Sequence, residues 1–227
     1  KKVAVWFGGN EFELLATLAK YGIDKDTGVE LIQQPFDMNL LIERQVDAAA
    51  AMTYNELAQV LETPDQNGNL YTLDQLNIID FNAEGTAMLQ DGVFVTEAWL
   101  ADAANQDIAE RFLRASFQGW MFCRDNVEKC VDYVLEQGPA LPRGHQTWMM
   151  NEVNKLIWPS TAGIGQMDAG LFAQTAEIAL QYGIIQNPPS EGAYVTDYAA
   201  AALEGIEGDT MGADYTPLEV QLTAGGQ

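Results

Sequence analysis

Residues 46–56, VDAAAAMTYNE, run from small apolar side chains directly into a polar corner. Alanines 48–51 leave no room for large side chains, so the segment is predicted to be a closely packed, buried strand. The next four residues supply hydroxyl, phenol, amide and carboxylate groups: Thr53, Tyr54, Asn55 and Glu56. Apolar residues then return at helical spacing. The stretch predicts either a strand that ends at a ligand-facing corner or an ordinary strand-to-helix turn capped by Thr53 or Asn55.

The chain before this stretch alternates between strand and helix patterns. Residues 1–7, KKVAVWF, and residues 29–33 have strand composition, and apolar residues at helical spacing follow each of them. Residues 1–61 therefore predict strand, helix, strand, helix, strand, helix. That alternation is typical of a parallel sheet, which binds ligands at the carboxyl ends of its strands.

A glycine-rich turn, Gly8-Gly9-Asn10, follows the first predicted strand. Glycines let a ligand approach the backbone, and Asn10 is suited to cap the next helix. The layout matches that of the corner at 53–56, so the two corners are expected to face one crevice, with Phe36 and Asp37 at the end of the second strand. The turn has the spacing of neither a P-loop nor a dinucleotide fingerprint, and most turns of this kind bind nothing.

Composition limits the classes of partner. The 227 residues are 48% hydrophobic, as expected of a soluble globular protein, and carry 11 basic against 33 acidic residues. A net charge of −22 repels nucleic acids and anionic membranes, which are excluded as partners. No apolar run reaches the roughly 18 residues of a membrane-spanning helix, and the N-terminus has no signal-peptide pattern. If the protein is exported, its leader is expected to have been removed.

The second half of the chain is predicted to be helical. Short strands are expected at 76–81 and 93–95, and only helical patterns follow: 108–123, 127–137, 147–158, 169–182 and 196–203. Three tryptophans in this half are predicted to pack in the core: Trp120, Trp148 and Trp158. Residues after 205 are expected to form a tail that either wraps over the body or frays.

Two cysteines and one histidine are too few for a Cys/His zinc site, so neither a metal nor a cofactor is expected. Cys123 and Cys130 flank a helix junction capped by Asp125 or Asn126. They could form a disulfide in an oxidising compartment or remain buried thiols in cytosol. His145 follows two prolines and is predicted to be a structural hydrogen-bonding residue in a loop.

Five blocks of the chain resemble, in order, the substrate-binding proteins of the NMT1/THI5-like group. The blocks are KKVAVWFGGNEFELL, VDAAAAMTYNELAQVLE, EGTAMLQDGVFV, FLRASFQGWMFCRDNVEKCVDYVL and GHQTWMMNEVNKLIWP. The resemblance covers residues 1 to about 205. It implies an α/β, type II periplasmic-binding-protein-like fold, in which a parallel-sheet lobe is followed by a mainly helical part of the other lobe.

The resemblance also implies a division of the chain. Residues 1–91 would form the second lobe, 92–205 the hinge return and the helical remainder of the first lobe, and 206–227 a C-terminal tail. A further segment on the order of a hundred residues is expected to precede Lys1 and to complete the first lobe. Site residues can therefore be predicted for the second lobe only: Gly8, Gly9, Asn10, Thr53, Tyr54, Asn55 and Glu56.

By this resemblance the chain is expected to be the solute-binding component of an ABC importer. The protein would be a periplasmic monomer whose lobes close on a small aromatic heterocycle, a thiamine-pyrimidine precursor or a riboflavin-like compound, and whose partner is the permease. Tyr54 would stack on or hydrogen-bond the ligand, Asn55 and Glu56 would satisfy ring nitrogens, and the backbone of residues 8–10 would take a carbonyl or phosphate oxygen. An exported protein also favours the disulfide between Cys123 and Cys130.

Two alternatives remain. One is a pyrimidine-synthase-like enzyme of the same fold, because the fungal branch makes the thiamine pyrimidine from its own histidine and pyridoxal phosphate. That branch is associated with a cysteine-rich run, which this sequence lacks, and no nucleophile-base or metal motif is present. The other alternative is a sensory ligand-binding domain.

Overall fold

A computed structural model describes all 227 residues and contains three strands and ten α-helices. The strands are β1 Lys2–Val5, β2 Glu30–Gln33 and β3 Ala48–Ala49. The helices are α1 Glu11–Lys20, α2 Asn39–Ile42, α3 Glu56–Leu61, α4 Phe81–Glu84, α5 Glu97–Leu100, α6 Ala103–Asp125, α7 Val127–Gln137, α8 Arg143–Ile157, α9 Ala169–Gln181 and α10 Asp197–Leu203. Two short 3-10 turns lie at Leu73–Gln75 and Ala224–Gly226.

The three strands form one parallel sheet in the order β2-β1-β3, which confirms the predicted strand–helix alternation and the α/β fold class. Strand β1 is central because its neighbours cover both edges, and Ala4 and Val5 have no solvent-exposed surface. The buried strand predicted over 46–51 is shorter than expected. Only Ala48 and Ala49 pair with β1, and the chain then leaves the sheet towards the polar corner.

Two predicted strands are absent. Residues 76–80 are irregular and lead into α4 at Phe81, and residues 93–95 are irregular and exposed. Val93 is 67% exposed and Phe94 is 93% exposed. β-branched and aromatic residues favour strands only where a neighbouring strand supplies hydrogen bonds and packing, and neither segment has such a neighbour.

The helical half matches its predicted pattern, and its core lies between α6 and α10. The buried side chains of this core are Phe117, Met121, Trp158, Ile164, Ala199 and Ala202. Trp158 is buried as predicted, whereas Trp120 is 36% exposed, so its assignment to the core was wrong. Helix α8 begins at Arg143 directly after Pro142, which places His145 in the first turn of a helix and not in a loop.

The junction between α6 and α7 contains a disulfide. Cys123 of α6 and Cys130 of α7 are bonded, with their Cα atoms 5.5 Å apart. Asn126 occupies the position before α7 but does not cap it, because its side-chain amide donates back to the carbonyl of Phe122. The two helices are therefore joined by a covalent bond as well as by the chain.

The C-terminal segment wraps over the body. The side chain of Asn151 in α8 pairs with both backbone groups of Leu218, through bonds of 2.8 and 3.2 Å. The N–H of Gly225 donates to the carbonyl of Glu62 at the end of α3, at 2.9 Å. The tail thus joins α8 to α3. None of the helices combines the length and the apolar character needed to cross a bilayer.

Candidate functional site

The carboxyl ends of the three strands lie along one edge of the sheet. The side chain of Gln34, 3% exposed, spans the end of β1. Its Nε2 donates to the carbonyl of Ala50 at 2.7 Å, and its Oε1 accepts from the N–H of Ala50 at 3.0 Å. The indole Nε1 of Trp6 donates to the carbonyl of Pro35 at 3.1 Å. These bonds fix the three strand ends relative to one another.

An aromatic side chain follows each strand at this edge: Phe7 after β1, Phe36 after β2 and Tyr54 after β3. We call these three residues the aromatic edge. Phe36 is 88% exposed, Phe7 is 47% exposed and Tyr54 is half-buried. Aromatic rings favour burial against other planar groups, so the aromatic edge offers apolar surface to a planar ligand.

The Gly8-Gly9 turn is occupied by a side chain of the protein itself. The carboxylate of Glu11, in the first turn of α1, accepts from the N–H of Gly8 at 3.1 Å and from the N–H of Gly9 at 2.8 Å. Gly8 has φ +102°, a conformation that favours glycine. Asn10 precedes α1 but its side chain makes no capping bond, so the predicted cap is wrong. The Glu11 carboxylate thus closes the turn that precedes α1.

The corner at 53–56 is held together by Glu56. This carboxylate is 4% exposed; it accepts from the N–H of Met52 at 3.0 Å and from the Asn55 amide at 2.8 Å. Neither Thr53 nor Asn55 caps α3 through its side chain. The hydroxyls of Thr53 and Tyr54 take part in none of the hydrogen bonds at this corner and have no partner in the protein. Glu56 and Asn55 therefore shape the corner, while Thr53 and Tyr54 present free groups.

The phenol of Tyr54 is kept in its protonated form. Burial raises its pKa above the usual value, and the negative charges of Asp91 and Glu56 raise it further. A protonated phenol both donates and accepts hydrogen bonds. Tyr54 can therefore satisfy either a donor or an acceptor on a ligand.

Helix α8 supports the corner at residues 53–56 through side-chain hydrogen bonds. Trp148 Nε1 donates to the carbonyl of Thr53 at 2.9 Å. One turn earlier, His145 Nε2 lies 2.9 Å from Asn55 Oδ1, and its Nδ1 lies 2.9 Å from a carboxylate oxygen of Glu62. Both ring nitrogens thus lie within hydrogen-bonding distance of side-chain oxygens. The structural hydrogen-bonding role predicted for His145 is confirmed.

The seven predicted site residues fall into two groups. Asn10, Thr53 and Tyr54 keep free polar side chains at the edge, whereas the amides of Gly8 and Gly9 and the side chains of Asn55 and Glu56 are engaged within the protein. Four further residues of the site are not predicted by the sequence pattern: Glu11, Gln34, Glu62 and Trp148. The spacing of three between His145 and Trp148 places both on one helix face, and it could have indicated a shared contact.

A separate cavity of about 600 Å³ lies between α1, α9 and residues 85–86, which follow α4. Small residues make up much of its wall, among them Ala16, Ala19, Gly170 and Ala173. It borders the C-terminal half of α1, whereas the Gly8-Gly9 turn precedes the start of that helix. The cavity is therefore distinct from the strand-end site. No cluster of three or more His, Cys, Asp or Glu side chains suited to a metal is present in the structure.

Comparison with known proteins gives one result. No curated protein matches the chain. The family model described as NMT1/THI5 like matches residues 1–129, which is 129 of 227 residues and includes the sheet, both corners and the aromatic edge. The small parallel sheet with its many helices is compatible with the periplasmic-binding-protein-like fold of that family. The chain belongs to the NMT1/THI5-like family.

Proposed function

We propose that the protein is the solute-binding component of an ABC importer, and that it binds a small aromatic heterocycle at the carboxyl edge of its sheet without changing it chemically. A thiamine-pyrimidine precursor or a riboflavin-like compound fits this description. The observation that carries the proposal is the aromatic edge, three aromatic side chains at three neighbouring strand ends beside unpartnered hydroxyls. Membership of a family of binding and related proteins supports the same role.

The free groups of the edge suit a flat, polar ring. The faces of Phe7 and Phe36 supply apolar contact, and the Tyr54 hydroxyl, the Thr53 hydroxyl and the Asn10 amide supply hydrogen bonds to ring substituents. Each such bond contributes only about 0.5 to 1.5 kcal/mol. Tight binding therefore requires the ligand to be enclosed, and the proposed closure of the first lobe over the ring would enclose it.

Two groups that could perform acid–base chemistry, His145 and Glu56, are engaged in holding the corner. His145 is 8% exposed and lies between Glu62 and Asn55, and Glu56 bonds the backbone of Met52. A synthase that consumes its own histidine would need that ring within reach of a cofactor. The burial of His145 therefore favours binding over the synthase alternative.

A periplasmic location fits the disulfide between Cys123 and Cys130, because disulfides form and persist in oxidising compartments. The strongly acidic surface would keep the protein soluble while it diffuses to the permease. Both features support the proposal of an exported binding protein that acts as a monomer.

The proposal is tested by calorimetric titration with riboflavin and with the hydroxymethylpyrimidine precursor of thiamine, using wild-type protein, Phe36→Ala and Phe112→Ala. Phe112 lies on α6 and is 57% exposed, so its replacement removes an exposed phenyl ring outside the proposed site. We expect Phe36→Ala to weaken binding about two- to tenfold, the effect of a lost aromatic contact, and Phe112→Ala to leave it unchanged. Equal effects of both variants, or binding to neither compound, would contradict the proposal.

A further inference from the structure

The charges at the strand-end edge point to the chemical class of the ligand. Resting on the proposed function, we infer that the site selects neutral or positively charged molecules and that Glu11 excludes phosphorylated and carboxylated compounds from the Gly8-Gly9 turn.

The Gly8-Gly9 turn is already filled by a carboxylate of the protein. Successive backbone N–H groups in a turn, as at Gly8 and Gly9 just ahead of α1, form a concavity that would ordinarily attract an anion. Here the carboxylate of Glu11 accepts from both, at 3.1 and 2.8 Å. A ligand phosphate would have to displace this carboxylate and then lie beside its charge. The turn therefore already contains the anion that it could bind.

The edge around the turn is negatively charged. The three strand-end segments, residues 6–11, 34–38 and 50–56, contain three carboxylates and neither Lys nor Arg. Those carboxylates belong to Glu11, Asp37 and Glu56, and the charge of Asp91 also acts on Tyr54. The imidazole of His145 faces this edge only through Asn55 and is paired with Glu62. An incoming anion would find no cation to pair with it, and the net charge of −22 opposes its approach.

The carboxylates and aromatic rings of the edge attract amino groups and positive charge. These carboxylates bond within the protein, but their negative charge favours ligand amino groups and protonated ring nitrogens over anions. The faces of Phe7, Phe36 and Tyr54 attract positive charge through the quadrupole of the ring. An amino-substituted heteroaromatic compound, neutral or protonated, satisfies both kinds of group.

The role of Glu11 can be tested without knowing the ligand. Inorganic phosphate is titrated into wild-type protein, Glu11→Ala and Glu128→Ala while the amide NMR signals of Gly8 and Gly9 are followed. Glu128 is an exposed carboxylate in the first turn of α7, so its removal is matched in charge and helix position. We expect saturable shifts only in Glu11→Ala. Shifts of equal size in wild-type protein, or none in Glu11→Ala, would overturn the role of Glu11.

Selection by charge is tested with compounds that differ only by a phosphate: riboflavin against flavin mononucleotide, and hydroxymethylpyrimidine against its monophosphate. Wild-type protein is expected to bind the unphosphorylated member at least about tenfold more tightly, a difference of about 1.4 kcal/mol. Glu11→Ala is expected to reduce this difference in affinity between the unphosphorylated and the phosphorylated member. Equal or tighter binding of the phosphorylated member would overturn the inference and leave the binding function standing. If neither member binds, the proposed function fails for these ligands, while the phosphate titration still decides the role of Glu11.

Discussion

At the scale of single residues, the site depends on which polar groups are already bonded within the protein. The sequence shows that hydroxyl, amide and carboxylate groups follow β3, and the structure places them at a strand end as predicted. The sequence alone does not show that Glu56 would bond the N–H of Met52, or that Glu11 would occupy the Gly8-Gly9 turn. Those pairings follow from side-chain rotamers and tertiary packing, which residue type and spacing do not determine.

Glu56 is expected to stabilise the fold. Because Glu56→Ala leaves the N–H of Met52 and the Asn55 amide without their acceptor, the free energy of unfolding should fall by about 1 to 3 kcal/mol. Urea denaturation measures the change, and Glu97→Ala, which removes an exposed first-turn carboxylate from α5, is the control. Unchanged stability together with lost ligand affinity would show instead that Glu56 faces the ligand.

The Tyr54 phenol should ionise at a higher pH than an exposed tyrosine. Burial and the charges of Asp91 and Glu56 raise its pKa, so the difference in ultraviolet absorbance between wild-type protein and Tyr54→Phe should show a transition above pH 10. Since the folded state holds this proton more tightly than the unfolded state, Tyr54 costs stability as pH rises beyond its unfolded pKa. Tyr54→Phe should therefore lose stability less steeply above about pH 10. A transition at or below pH 10 would contradict the burial of the phenol.

At the scale of elements, helix α8 connects the two halves of the chain at the site. His145 and Trp148 reach Asn55 and the carbonyl of Thr53, and the C-terminal segment joins α8 to α3. Periodicity predicts that α8 exists but not where it begins or what it faces. The start at Arg143 follows from Pro142, and its contacts depend on tertiary packing. Strands 76–81 and 93–95 were predicted wrongly for a related reason, because strand formation needs a partner.

The pair formed by His145 and Glu62 should couple α8 to α3. His145→Ala and Glu62→Ala should each destabilise the protein by about 1.5 to 3 kcal/mol, since each removes a buried hydrogen bond to a charged group. In a double-mutant cycle measured by urea denaturation, the double variant should lose clearly less than the sum of the single losses. Additive losses would show that the two side chains do not interact. Thr147→Ala, on the same helix turn, serves as the control.

The disulfide between α6 and α7 should stabilise their junction. Free-thiol labelling of the denatured, unreduced protein should find no thiol, because Cys123 and Cys130 are the two cysteines of the chain. Reduction should lower the free energy of unfolding by about 2 to 3 kcal/mol, the effect expected for so short a loop. Two labelled thiols per chain would contradict the bond and weaken the proposal of a periplasmic protein.

At the scale of the whole molecule, the chain exposes more surface than its size requires. The accessible surface is 14128 Å², whereas a compact monomer of 24.9 kDa would expose about 10,000 Å². Phe94, Phe36 and Leu156 are among the apolar side chains left exposed. Apolar surface left exposed to this extent marks a place where further contacts can form. The division at residues 91 and 205 stays a prediction.

Native mass spectrometry tests the central claim most directly. Wild-type protein and a Thr53→Ala/Tyr54→Ala variant are each incubated with riboflavin and hydroxymethylpyrimidine, desalted and sprayed under native conditions, and the released compound is identified by chromatography. We predict that wild-type protein retains one of the two compounds and releases it unchanged, and that the variant retains neither. Retention by neither protein, equal retention by both, or steady appearance of a new product would contradict an unreactive binding site at the carboxyl edge of the sheet.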